Sequence, residues 1–179
     1  VMEAGVGWTR SVTPWLASSQ TSKTFLGETF SSAFVSRWNW PVVGVEKSDR
    51  QIEAVSTGAQ GRPNSLNARA CILATGSFVG GGLWAKRDRI VEKVFDLPVF
   101  APENRDDWFD QDYFSVSHGI GQAGIVVDDA FCPQGSPWNN VFVCGSILAH
   151  SEALKNGCGH GFAIATGRAA ARSCLERLR

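Results

Sequence analysis

The sequence predicts an α/β fold, and three features point there. Residues 69–74 and 141–144 are short apolar runs that each stop at a turn signal, Thr75-Gly76-Ser77 and Gly145-Ser146, as buried strands do. Residues 162–179 contain no proline, are rich in alanine and end in arginines, which is a helix pattern. The 19 glycines among 179 residues are about one in nine, against a usual ~7%. A backbone so rich in glycine must turn sharply or approach something closely at several points.

Composition narrows the function classes. Hydrophobic residues are 44% and charged residues 19%, so the chain has the material for a packed core and is not a disordered or collagen-like segment. Its length fits one domain or a little more. Seventeen basic and seventeen acidic side chains cancel and form no basic stripe, which argues against nucleic-acid binding. The five cysteines, Cys71, Cys132, Cys144, Cys158 and Cys174, include no C-x-x-C pair and no nearby paired histidines. Neither a metal site nor a disulfide framework is expected. Cys71, Cys144 and Cys174 stand in apolar or small-residue stretches and read as buried hydrophobes. No run approaches the ~18 apolar residues of a membrane span, and the first residues lack a signal-peptide pattern. The expected setting is the cytoplasm, with any membrane association arising through partners.

Taken in order, residues 1–23 show no sustained period and read as an irregular lead-in. Leu26, Phe30, Phe34 and Trp38 recur every four residues and predict a short amphipathic helix over 25–38. Strands are expected at 42–46 and 51–57, joined through the polar 47–50 as a hairpin, with a loop over 58–67. The buried strand 69–74 then enters a tight turn and the triplet Gly80-Gly81-Gly82. Residues 83–108 are mixed, with a strand expected at 93–99. A short strand at 124–127, a loop at 132–139 around Pro133 and Pro137, and the strand 141–144 follow. The small residues of the final helix, among them Ala163, Ala165, Thr166, Gly167 and Ala169, let it lie close to a sheet or a ligand.

The chemistry resides in the glycines. A helix start offers unpaired N–H groups and a positive partial charge, and Gly157, Gly159 and Gly161 would let a phosphate approach it. The same glycines also suit a plain turn. The strand ends Ala74-Thr75-Gly76 and Cys144-Gly145-Ser146 favour the ligand, because open α/β sheets bind outside the carboxyl ends of strands. The formal G-x-G-x-x-G at Gly119, Gly121 and Gly124 fails as a dinucleotide loop, since a polar segment precedes it and a strand, not a helix, follows. Gly5-Val6-Gly7 fails because Arg10 takes the third position and no strand is expected before it. The usual first nucleotide-binding loop is therefore read as absent.

Residues 70–78 (Ala-Cys-Ile-Leu-Ala-Thr-Gly-Ser-Phe), 80–85 (Gly-Gly-Gly-Leu-Trp-Ala), 124–128, 140–148 and 156–162 (Asn-Gly-Cys-Gly-His-Gly-Phe) together resemble the B-subunit family of anaerobic glycerol-3-phosphate dehydrogenase. The resemblance covers roughly residues 72–171 and is loose before 69. It implies a partial two-dinucleotide-binding-fold, Rossmann-like flavoprotein domain with an inserted α+β segment. Residues 1–68 would be lead-in plus part of a cap or substrate segment, and 69–85 the return strand and loop of the flavin domain. Residues 86–130 would be further cap segment, and 131–179 the closing strand and helix. By resemblance the cofactor is a flavin, FMN in the family with FAD as the other choice. Thr75, Gly76 and Ser77 would lie near it, Gly145 and Ser146 by its ribityl or phosphate region, and Asn156, Gly157, Cys158, Gly159, His160, Gly161 and Phe162 would offer backbone N–H groups.

The implied activity is oxidation of glycerol 3-phosphate to dihydroxyacetone phosphate, with electrons passed toward quinone. The implied partners are a catalytic dehydrogenase subunit and a membrane-associated iron–sulfur subunit. Two departures stand out: the family's Arg-Pro after the aspartate-bearing strand is Cys132-Pro133 here, and its Gly-Gly after the closing strand is Ala149-His150. Two further readings remain, a non-catalytic module that contributes only interface, and a succinate- or fumarate-type flavin oxidoreductase. No catalytic residue is assigned. His160 either polarises a flavin carbonyl or faces solvent, His118 and His150 lack a defined carboxylate partner, and Asp128-Asp129 reads as a turn.

Overall fold

A computed structural model of the chain describes residues 2–4, 23–25, 28–30, 41–59, 62–112, 118–152, 155 and 157–179. In chain order the strands are β1 (Met2–Ala4), β2 (Lys23–Phe25), β3 (Glu28–Phe30), β4 (Val42–Ser48), β5 (Gln51–Ala59), β6 (Arg62–Asn67), β7 (Cys71–Leu73), β8 (Leu83–Ala85), β9 (Ile90–Glu92) and β10 (Val141–Val143). One α-helix among the described residues, α1 (Gly159–Leu178), closes the chain.

The centre is a parallel sheet ordered β1-β7-β10. Cys71 pairs with Val141 and Leu73 with Val143, so the two apolar runs lie side by side and in register. Side chains alternate across a strand, and both faces are used. Cys71, Leu73, Val141 and Val143 enter a cluster with Ile52 and Val55 of β5 and with Leu83, Ile90 and Phe95. Ile72, Phe142 and Cys144 face Ala170 and Cys174 of α1, both fully buried. Burial on both faces explains why these strands read as continuous apolar runs.

The antiparallel sheet β4-β5-β6 is joined to this centre by one buried amide. Asn140 Oδ1 accepts the Ile52 N–H at 2.9 Å, and Asn140 Nδ2 donates to Ile52 O at 2.8 Å and to Arg69 O at 3.2 Å. Beside it the Asn139 N–H donates to Arg50 O at 2.8 Å. The hairpin β4–β5 turns through Asp49 and Arg50, with φ of 41° and 67°. Two consecutive left-handed residues match the twist of paired strands, the turn that a two-residue hairpin loop prefers.

Several expectations give way. Within the helix expected over 25–38, Glu28–Phe30 is a strand paired antiparallel with Lys23–Phe25, Thr24 opposite Thr29. Thr and Phe at these positions favour strands over helix; residues 26–27 and 31–38 lie outside the described residues. Met2–Ala4, expected to be irregular, pairs parallel with β7. The strand objection to Gly5-Val6-Gly7 therefore falls, while Arg10 in its third position stays, and residues 5–10 lie outside the described set. Residues 62–67, expected as loop, form β6 along β5, with Pro63 opposite Gly58. Proline lacks an N–H and is tolerated on such an outer strand.

No strand forms at 93–99. Instead Glu92 turns inward, 3% exposed, and its carboxylate accepts the N–H groups of Val94 at 2.6 Å, Phe95 at 2.8 Å and Leu97 at 3.3 Å. Donors used in this way cannot pair with a neighbouring strand. The strands in this region are β8 and β9, which pair antiparallel just before it. Residues 124–127 make only isolated bridges, such as Phe100 with Gly124 and Ile125 with Leu148.

None of the five cysteines is in a disulfide, and Cys71, Cys144 and Cys174 are buried as expected. Burial pushes the Cys71 thiol from its ordinary 9.0 up to about 11, and raises Cys174 as well. Below the ordinary value the thiol is neutral in both states. Above it the unfolded thiol ionises while the folded one keeps its proton, so stability falls as pH rises from about 9 toward 11. Urea titrations across that range will show a shallower alkaline decline in Cys71→Ala than in the parent chain. Replacing Asn140 with Ala strands buried groups on β5 and will lower stability by about 2–4 kcal/mol in the same assay.

Candidate functional site

The carboxyl ends of β7 and β10 meet at one edge of the central sheet. β7 leads through Thr75 to Gly76, which has φ of +75°. A methyl group on Gly76 would lie 3.6 Å from the Ser146 hydroxyl and 3.2 Å from Gly80 Cα, so the two strand ends are neighbours. Gly82 folds back on this turn; a Cβ there would overlap Gly76 O and stand 2.5 Å from Thr75 Oγ1. That close approach requires glycine. It also covers the Thr75 hydroxyl, which is buried and has no hydrogen-bond partner among the described residues.

β10 leads through Cys144 into a 3-10 turn, Gly145–Ile147, with Gly145 at φ of +80°. The Gly145 N–H donates to Thr166 Oγ1 at 3.0 Å, and the Thr166 hydroxyl donates to Phe162 O at 2.7 Å. This pair of bonds brings the first turns of α1 to the strand end. Further along, a methyl on Gly167 would reach Cys144 Sγ at 4.0 Å, the close helix–sheet contact that small residues allow.

The helix begins three residues before the expected 162. Gly159, His160 and Gly161 therefore belong to its first turn rather than to a loop before it. Cys158 occupies the position before the helix, its side chain makes no capping bond, and its carbonyl accepts the Phe162 N–H at 2.8 Å. Gly157 has φ of +61°, and among the described residues no atom beyond the chain neighbours and the helix's own backbone stands within 4 Å of where a Cβ would lie at Gly145, Gly157 or Gly161. Phe162 packs against the first core cluster, while Cys158 and His160 are exposed. Of the expected site residues, Thr75, Gly76, Gly145 and Ser146 thus come together, Ser77 belongs to the same turn, and Gly157 to Phe162 follow at the helix start. Asn156 lies outside the described residues.

The remaining candidates find structural roles. Asp128 Oδ1 closes a turn by accepting the N–H groups of Ala130 and Cys132 at 2.9 and 2.8 Å. His118 Nδ1 accepts the Asp110 N–H, and the His150 ring lies 4.5 Å from that of Phe100. Gly119 and Gly121 belong to a 3-10 turn, Gly119–Gln122, and the extended Ala123 follows it rather than an α-helix; residues 113–117 lie outside the described residues. Thr166 was legible only as one more small residue of the helix, and nothing in its sequence context marks the hydroxyl bridge.

Two cavities lie away from these strand ends. One, of about 210 Å³, sits at the amino ends of β7 and β10 between Arg69, Asn140 and Arg177. The other, of about 580 Å³, lies on the β8–β9 hairpin. Among the described residues no group of three or more His, Cys, Asp or Glu is placed to hold a metal, and no helix is long and apolar enough to cross a membrane.

The family model described as "FAD binding domain" matches residues 21–162, reaching well ahead of residue 69, where the resemblance read from sequence weakens. The chain belongs to the FAD-binding domain family. The cofactor this family indicates is a flavin. A relative from Vibrio vulnificus, named as the B subunit of anaerobic glycerol-3-phosphate dehydrogenase, is 36% identical over 113 residues, 62% of this chain and 26% of the relative. Its namesake in Aliivibrio fischeri is 36% identical over 116 residues, covering 63% and 26%. The "probable" B subunit of Halobacterium salinarum is 30% identical over 142 residues, covering 77% and 33%. The chain spans about a quarter to a third of the length of these curated relatives. No solved structure matches it.

The features at the strand ends suit the FAD-binding family. Left-handed glycines with open space beside them at Gly145 and Gly157, and the start of a twenty-residue helix, are groups that a phosphate-bearing cofactor can approach. Their arrangement depends on the Thr166 bridge. Thr166→Val leaves the Gly145 N–H without its acceptor and will cost about 1–3 kcal/mol in thermal or urea unfolding. Thr166→Ser, which keeps the oxygen, will retain most of that stability.

Proposed function

We propose that this chain supplies part of the flavin-binding domain of an oxidoreductase that oxidises glycerol 3-phosphate to dihydroxyacetone phosphate. The observation that carries this reading is the meeting of the Gly76 and Ser146 turns, with α1 tied to the same place through Thr166. Thr75, Gly76 and Ser77, then Gly145 and Ser146, then Asn156, Gly157, Cys158, Gly159, His160, Gly161 and Phe162 form the cofactor side. Residues 69–85 and 131–179 belong to the flavin domain in this reading, and 1–68 and 86–130 to the cap or substrate segment. FAD is preferred over FMN because the matching family is described by FAD.

A bound flavin supplies the acceptor for hydride or electrons. The chain's own part is to hold and orient it. The helix start would offer its N–H groups and positive partial charge to an anionic portion of the cofactor. The relatives are named as one subunit of a dehydrogenase, which supports partner subunits here: a catalytic subunit and a membrane-associated iron–sulfur subunit that relays electrons toward quinone.

The test is the visible absorption of oxidised flavin after incubation with FAD and gel filtration. It is run on this chain and on a chain extended to the length of the relatives. A flavin band in either supports the reading, and its absence from both overturns it. Gly161 separates a ligand effect from a folding effect, because a Cβ there meets no other segment among the described residues within 4 Å. Gly161→Ala will raise helix stability slightly, by about 0.5–1 kcal/mol, and weaken FAD binding about tenfold, equivalent to ~1.4 kcal/mol. Unchanged FAD binding removes the helix start from the site.

A further inference from the structure

We propose that the concave outer face of the β8–β9 hairpin is a second binding site, for a small phosphate monoester. The pairing is antiparallel, with Trp84 opposite Val91 and Ala85 opposite Ile90. Because side chains alternate along a strand, Leu83, Ile90 and Glu92 turn toward the core. The other face carries Trp84, Lys86, Arg89, Val91 and Lys93, and these line the cavity of about 580 Å³. A cavity of that size falls in the range of small-molecule sites.

Three cations share this face, and none of them is held in an ion pair among the described residues. Lys93 Nζ stands 3.9 Å from the centre of the Trp84 ring, which fixes the ammonium at the cavity. Lys86 and Arg89 flank a turn closed by the Lys86 N–H donating to Arg89 O at 2.8 Å. Behind that turn a further cation is locked in place, since Arg105 Nη1 donates to Arg87 O at 2.9 Å and to Lys86 O at 3.5 Å. Like charges on one face of a hairpin repel each other and work against folding. A bound dianion removes that cost, and a guanidinium fork beside two ammonium groups matches the oxygens of a phosphate monoester.

The opposing charges favour a small ligand over an extended polyanion. Glu92 also lines the cavity, but its carboxylate is buried and occupied by three backbone N–H groups. Asp96, with φ of 57°, also lines the cavity and would repel an anionic surface laid across the whole face. A compact ester can occupy the cationic side alone. This site does not rest on flavin binding, although β8 leaves directly from the glycine turn that ends at Gly82.

The experiment titrates the full chain with inorganic phosphate at low ionic strength, following phosphorus line broadening and tryptophan fluorescence. Saturable binding in the millimolar range is expected, weakened at least about tenfold by the Lys86→Ala/Arg89→Ala double variant. Trp84→Phe will remove the fluorescence change and keep the line broadening. Arg179→Ala, a charge loss at the exposed end of α1, will change neither. Binding that does not saturate, or that survives in the double variant, overturns the proposal. Loss of phosphate binding in Gly161→Ala alone would place the anion at the helix start, overturning this site while leaving the flavin reading intact. Sedimentation with phosphatidylglycerol vesicles, without saturable binding of free phosphate, would assign the cations to a lipid headgroup surface and likewise overturn the proposal.

Discussion

β7 and β10 run parallel and in register, and most of the molecule follows from that pairing. Each strand is three residues long, too short to stand without layers on both sides. Alternation sends Cys71, Leu73, Val141 and Val143 into one cluster and Ile72 and Phe142 into the other, so a single pair of strands joins two cores. Parallel pairing also fixes direction. Both strands must end at the same edge, and the turns that follow them, Gly76 and Gly145-Ser146, become neighbours. Asn140, immediately before β10, secures the other edge by binding β5 and the residue that leads into β7.

What could be read from sequence was whatever local pattern alone decides. The hairpin of β4 and β5 announces itself by two β-rich runs around a polar break, and the buried strands by apolar runs that stop at glycine. The helix announces itself by alanine and by the absence of proline. The errors arise where a distant or unexpected partner overrides the local signal. Residues 93–99 have the composition of a strand, but the Glu92 carboxylate takes their donors. Residues 62–67 look like a loop because of Pro63 and Asn64, yet β5 offers them an edge to pair with. Leu26, Phe30, Phe34 and Trp38 have helical spacing, yet Glu28–Phe30 pairs with the strand before it.

The candidate site divides in the same way. Its glycines were visible, because a left-handed turn or a close approach leaves a compositional mark. The bridge through Thr166 was not, since a threonine in an Ala-rich helix looks like any other small residue. The cationic face of β8–β9 was hidden for a different reason. With no strands assigned to 83–92, the alternation that gathers Lys86, Arg89 and Lys93 on one side had no frame.

The direction of the hydrogen bonds at Thr166 carries a consequence for recognition. A hydroxyl has one proton, and here it is given to Phe162 O, so the oxygen faces Gly145 as an acceptor and holds that amide. Gly145 is thereby already engaged inside the protein. Its carbonyl is engaged as well, accepting the Leu148 N–H at 3.0 Å, so this buried glycine shapes the mouth of the sheet without a polar handle of its own. An anionic tail arriving beside it must find its contacts elsewhere.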